Sequence, residues 1–105
     1  MDQVNSLLRQ ELALSLQRHL DLDGSLVTIT EVHCSADLSE AKVFVSVLPE
    51  NQVGSALKKL RKLSGTFARD LRPRLKFHKM PVFIWLFDNR EARAAALEEV
   101  FNEVS

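Results

Sequence analysis

The most constraining feature of this chain is a pair of β-branched runs separated by six residues, most of them polar. Leu26 to Cys34 carries Val27, Thr28, Ile29, Thr30 and Val32, and Ala41 to Leu48 alternates Val43, Val45 and Val47 against Lys42, Phe44 and Ser46. A period of two marks strands with one buried face. The polar stretch Ser35 to Glu40 between them predicts an antiparallel hairpin. In the first run the period slips, with Val27 and Ile29 on one face and Val32 on the other. One extra residue near Thr30 or Glu31, a β-bulge, restores the pattern. A lone hairpin is not stable in water, so the rest of the chain must cover it.

Helices supply that cover. Val4, Leu8, Leu12 and Leu16 recur every four residues, which predicts an amphipathic helix from about Val4 to Leu20, ended by the turn cluster Asp21 to Ser25. Val53, Ala56, Leu57, Leu60 and Leu63 form a second helical stripe that Phe67, Leu71 and Leu75 continue. Ser64-Gly65 interrupts it. A mid-helix glycine costs about 1 kcal/mol relative to alanine, so a kink, or a break into two helices, is expected there. Pro73 lacks a donor and disfavours α conformation at Arg72, disrupting the second half again. Pro81 precedes a third strand, Val82 to Phe87, with Val82, Ile84 and Leu86 on one face and Phe83, Trp85 and Phe87 on the other. One of these faces must lie under the helices. Asp88 and Glu91 suit a capping box for a final helix, about Asn89 to Val104. The expected architecture is α+β, with helices on one side of a small sheet.

With 105 residues, the chain suits one domain over 1–105 with one core. No stretch approaches the roughly 18–20 apolar residues of a membrane span. The opening MDQVNSLLRQ has no signal pattern, and Cys34 has no second cysteine to bond. A cytoplasmic protein without a membrane partner is the expectation.

Catalytic constellations are not found. His19, His33 and His78 are scattered without metal-ligand spacing, and there is neither a phosphate-binding glycine loop nor a G-x-S-x-G elbow. His33 and Cys34 are strand neighbours pointing to opposite faces. Cys34 reads as a small core or half-buried thiol. Asp37 and Glu40 suit turn hydrogen bonds better than acid–base work. The expectation is no enzyme, no metal and no cofactor.

Charge is the informative quantity. Fourteen basic residues balance fourteen acidic ones, yet residues 56–79 hold nine bases against Asp70 alone, a net +8, which leaves −8 on the other residues. Such a dipolar chain can present a cationic face to phosphates. Lys58, Arg61 and Lys62 lie at i, i+3 and i+4 on one helix face, and Arg69 and Arg72 repeat the i, i+3 relation. Arg74, Lys76 and Lys79 extend the set. At Ser64-Gly65, a second helix would aim its N-terminal amides at a phosphate. Trp85 as a base-stacking platform is a weaker reading, as is the Val82/Ile84/Leu86 face as a protein-docking surface.

The stretch Leu26 to Leu48, LVTITEVHCSADLSEAKVFVSVL, resembles bacterial ribosome-binding factor A. It carries a Val-Thr-x-x-x-Val strand, here Val27, Thr28 and Val32. A Ser-x-Asp-Leu-Ser-x-Ala-Lys-Val motif follows, here Ser35, Asp37, Leu38, Ser39, Ala41, Lys42 and Val43. Ser64-Gly65, Pro81 and Phe87-Asp88 match the family's kink, the proline before its last strand and that strand's end. Leu63 stands where the family has alanine. The resemblance spans about residues 4 to 104. It implies a type II KH-like fold, α-β-β-α-α(kinked)-β, with a C-terminal helix on a three-stranded sheet and no Gly-x-x-Gly loop. It also implies a monomeric, non-enzymatic factor that binds the small (30S) ribosomal subunit and its ribosomal RNA late in maturation, associated with growth in the cold. The expected RNA-binding residues are Lys58, Arg61, Lys62, Ser64, Gly65, Arg69, Arg72, Arg74, Lys76 and Lys79. The alternative is a protein-interaction module on the same fold.

Overall fold

The computed structural model describes residues 2–19, 25–75 and 79–89. Its elements are α1 (Asp2–His19), β1 (Leu26–Cys34), β2 (Glu40–Leu48), a 3-10 turn at Glu50–Gln52, α2 (Val53–Leu71) and β3 (Val82–Phe87). The sheet order is β1-β2-β3, with β1 antiparallel and β3 parallel to the central β2. The predicted turn Asp21 to Ser25 and the predicted helix Asn89 to Val104 lie outside the described residues, apart from Ser25 and Asn89.

The hairpin follows the sequence closely. Leu26 pairs with Leu48 and Cys34 with Ala41, and the register shifts between Ile29 and Glu31, so the bulge falls where the slipped period requires it. The Thr30 hydroxyl donates to the Phe44 carbonyl at 3.2 Å, giving the bulged residue a bond across the strands. Register then places Ile29, Val32, Ala41, Val43, Val45, Val47, Phe83 and Trp85 on one face, all buried.

That face is covered by two helices. α1 packs on β1, α2 packs on β3, and the helices touch each other. Leu8, Leu12 and Leu16 from α1 and Ala56, Leu60, Phe67 and Leu71 from α2 complete the core. Of the two faces of β3, Phe83 and Trp85 therefore enter the core. Val82 is exposed, and Ile84 and Leu86 are half-buried beside Phe44 on the opposite face.

Of the two outcomes expected at Ser64-Gly65, a kink or a break into two helices, the break does not occur: Val53–Leu71 is one continuous helix of 19 residues. The reason is arithmetic. Gly65 costs about 1 kcal/mol, whereas burying Phe67 and Leu71 beyond it gains roughly 1.5–3 kcal/mol each. Leu60, Phe67 and Leu71 hold the same helical phase on both sides of the glycine, so any break would pull two of them from the core. Arg72 also stays helical (φ −52°, ψ −47°) despite the following Pro73. The Arg74 and Leu75 N–H groups both donate to the Leu71 carbonyl at 2.9 Å, and Leu75 is thereby carried into the core.

Candidate nucleic-acid interface

The surface of α2 follows from its core stripe. At about 100° per residue, Lys58, Arg61, Lys62, Gly65, Arg69 and Arg72 fall within one arc of about 100° on the side away from Leu60. All six are exposed. The arc holds five cations, no acid and two glycines, Gly65 and, near the start of the helix, Gly54. Lys58–Arg61, Lys58–Lys62 and Arg69–Arg72 are like-charge neighbours at i, i+3 or i, i+4. Each such pair destabilises a helix by about 0.2–0.5 kcal/mol. The face thus carries a cost of order 1 kcal/mol that a polyanion would relieve. Beyond the helix, Lys79 and Arg74 are exposed, and Arg74 Nε lies 3.5 Å from Glu11 Oε2 on α1. Lys76 lies outside the described residues.

Ser64 and Gly65 lie inside a continuous helix and not at a helix start. With α2 continuous, no helix begins at Gly65 and no N-terminal amides gather there. Ser64 belongs to the interior side. Its hydroxyl donates to the Leu60 carbonyl at 3.1 Å and accepts from Trp85 Nε1 at 2.8 Å. Trp85 is 2% exposed and packs edge-to-face on Phe67 and Phe83, so it offers no platform to a base. A Cβ at Gly65 would meet nothing within 4 Å. The glycine is therefore not demanded by packing, and it leaves a bare strip of backbone among the cations.

Asp70, the one acid of the basic window, turns away from the cationic arc toward α1. It accepts from the buried Ser15 hydroxyl at 2.9 Å and bonds His19 Nε2 at 2.6 Å. The Ser15 hydrogen bond, and then His19, hold its carboxyl below the usual carboxylate range. An ionised carboxylate only accepts, so His19 Nε2 carries the proton in this contact. This node, with Arg74–Glu11, fastens α2 to α1. Sequence reading missed it. Its trace was a serine among the leucines of α1 and a solitary acid among nine bases.

The stretch that carries the resemblance most specifically is a built turn. Asp37 Oδ1 accepts from the Ser35 hydroxyl, the Ser39 hydroxyl and the Ser39 N–H at 2.7–3.1 Å. These bonds, Ser39's first, lower its pKa to about 2. Leu38 adopts φ 61°, a left-handed conformation that L-residues resist, and its N–H donates to the Ser35 carbonyl at 3.0 Å. Asp37 therefore fills the expected turn role. Cys34 is half-buried, and burial raises its thiol pKa. Among the described residues, no three His, Cys, Asp or Glu side chains converge as a metal site, and no helix is long and apolar enough to cross a membrane.

Comparison with known proteins agrees with this architecture. A family model described as ribosome-binding factor A matches residues 1–101. Ribosome-binding factor A of Brevibacillus brevis is 33% identical, over 100% of this chain and 88% of that protein. Its counterpart in Akkermansia muciniphila is 29% identical, over 98% of this chain and 82% of that protein. The crystal structure of ribosome-binding factor A from Thermus thermophilus superposes with a TM-score of 0.74 at 25% identity, covering 82% of this chain and 92% of that one. A Thermus thermophilus homology model fitted into a cryo-EM map of a complex with the 30S subunit gives a TM-score of 0.68 at 26% identity, covering 77% and 87%. These neighbours share the α+β, KH-like arrangement described above.

Proposed function

Because the chain belongs to the ribosome-binding factor A family, we propose that it binds the small ribosomal subunit through the cationic arc of α2. In this reading Lys58, Arg61, Lys62, Arg69 and Arg72 contact ribosomal RNA phosphates, and Arg74, Lys76 and Lys79 extend the contact. Gly65 lets the RNA backbone approach the helix. Ser64 acts indirectly, by holding α2 to β3 through Trp85. The factor is a cytoplasmic monomer that assists late maturation of the subunit without catalysis and without a cofactor. Specificity comes from RNA shape, since an array of phosphate contacts positions a protein without reading bases.

The observation that carries this reading is the unmixed arc itself: five exposed cations on one face, with the window's only acid turned to the other helix. Displacing counterions from about five phosphates makes affinity fall roughly a hundredfold or more between 50 and 200 mM salt. Co-sedimentation with purified small subunits across a salt series tests the reading. Lys58→Glu/Arg61→Glu is expected to weaken binding at least tenfold and to flatten the salt slope. Arg90→Glu/Arg93→Glu, an equal change in net charge, is expected to do far less. Equal losses from both pairs would remove the site from α2. Salt-resistant binding would instead favour the Val82/Ile84/Leu86 face.

A further inference from the structure

Gly65 stands at the centre of a symmetric array. Along α2 and its C-cap, Lys58 and Arg72 lie seven residues to either side of it, and Arg61 and Arg69 lie four, with Lys62 beside Arg61. At 1.5 Å per residue these are steps of about 10 Å and about 6 Å along the axis. Offsets of four and seven return to one helix face, so the cations form two groups in line with a gap between them. From Lys62 to Arg69 the gap spans about 10 Å of axis, and Gly65 is the arc's only residue within it. Ser64 turns to Trp85, and Thr66 and Ala68 are half-buried. Asp70, on the α1 side of the second group, keeps its carboxylate on Ser15 and His19.

The gap runs against the preference of the helix. A Cβ at Gly65 would meet nothing, and alanine is the better residue inside a helix. Glycine leaves the backbone open to its surroundings. Each helical carbonyl there accepts one N–H and keeps a second lone pair. The floor of the gap therefore offers acceptors, while its two ends offer cations. A phosphate diester has no proton to give such a floor, whereas a ribose 2′-hydroxyl has one. Stacking platforms are missing from this surface. Proteins that hold single strands combine a cationic groove with exposed aromatic rings. Phe67, the one aromatic residue of α2, is buried against Trp85, and no described phenylalanine or tryptophan is exposed.

We propose that the ligand of the arc is double-stranded RNA, held across its minor groove. Lys58, Arg61 and Lys62 contact the phosphates of one strand, Arg69 and Arg72 those of the other, and the bare backbone at Gly65 accepts from 2′-hydroxyls between them. The A-form minor groove is wide, shallow and lined with 2′-hydroxyls, so a helix whose other side is packed on a sheet can span it without entering it. A DNA duplex lacks the donor. Its minor groove is about 6 Å wide, and its major groove, about 8.5 Å deep, is read by side chains at the centre of an inserted helix, where α2 is bare. The inference rests on the proposed cationic arc and names the form of RNA that the arc takes.

Fluorescence anisotropy with the full chain tests it. The probes are a short RNA duplex, the DNA duplex of the same sequence, and a single-stranded oligouridine with the same number of phosphates. At equal salt the RNA duplex is expected to bind roughly tenfold more tightly than either other probe, the worth of one or two hydrogen bonds. Gly65→Ala should bring RNA-duplex affinity down to that of DNA, leave DNA-duplex affinity unchanged and raise Tm, which separates the loss from any failure to fold. Gly54→Ala, on the same arc ahead of the cations, should leave all three affinities unchanged. A 2′-fluoro RNA duplex keeps the A-form without the donor. It should bind the parent chain as weakly as DNA and be indifferent to Gly65→Ala. Equal binding of the three probes, preference for oligouridine, parent-level affinity for the 2′-fluoro duplex, or equal loss of RNA and DNA binding in Gly65→Ala overturns the proposal. Failure of the arc itself has a different signature. Subunit co-sedimentation that survives Lys58→Glu/Arg61→Glu removes the arc and this inference with it. Co-sedimentation lost in that variant, with no preference among the probes, keeps the arc and removes only the duplex.

Discussion

Trp85 and Asp37 show how single side chains divide between holding the fold and meeting a ligand. The indole of Trp85 is buried, and its one donor reaches Ser64, 21 positions earlier in the chain. Nothing local announces such a pairing, so Ser64 resembled a binding residue in the sequence and is a core contact in the fold. Ser64→Ala leaves the buried Nε1–H without an acceptor and should cost about 1–3 kcal/mol. Ser64→Thr should recover most of that loss in urea unfolding. Asp37 sits in the exposed hairpin turn with its pKa lowered to about 2 from an ordinary 3.8. A depressed carboxylate stabilises the fold fully above its unfolded pKa, and this support fades as pH falls through the folded value. The stability gap between the parent chain and Asp37→Asn should therefore be full at pH 5 and above, shrink below pH 4 and close near pH 2. Urea midpoints at each pH would show it, and a gap independent of pH would contradict it.

At the level of elements, Gly65 is the position where helix stability and the proposed binding oppose each other. A Cβ there meets nothing, and α2 runs through the position. Gly65→Ala should stabilise the chain by about 0.5–1 kcal/mol, a rise of several degrees in Tm for a domain of this size. If RNA backbone approaches the bare strip, the same methyl weakens subunit binding while unfolding becomes harder. Tighter or unchanged binding would free Gly65 from the interface. The elements were largely legible in the sequence because their signals are periodic. The hairpin, the bulge beside Thr30 and the leucine phase of α1 all follow from alternation or four-residue recurrence. The continuity of α2 was not legible, because a local propensity of about 1 kcal/mol was set against burial that only the assembled sheet provides. For the site, the shared face of Lys58, Arg61 and Lys62 could be read directly from spacing.

For the molecule as a whole, salt should act with opposite signs on the two states of the protein. Crowded cations on α2 repel one another in the free chain, and the Debye length shrinks to about 10 Å at 0.1 M salt. Thermal unfolding of the free protein should accordingly shift upward as sodium chloride rises from 10 to 200 mM, while the proposed complex with ribosomal RNA should dissociate over the same range. A free chain that loses stability with salt would mean that attractive pairs such as Arg74–Glu11 outweigh the repulsion.

The mixed sheet also sets an order of events during synthesis. β2 lies in the middle, yet one neighbour precedes it by a short turn and the other arrives only after residues 49–81 have been made. The hairpin can close early, which leaves one long edge of β2 unpaired, with Val43, Val45 and Val47 awaiting cover. A nascent chain halted before Val82 is therefore a strand-pairing template, prone to join another copy of itself. Completion of the last strand is the step that closes that edge.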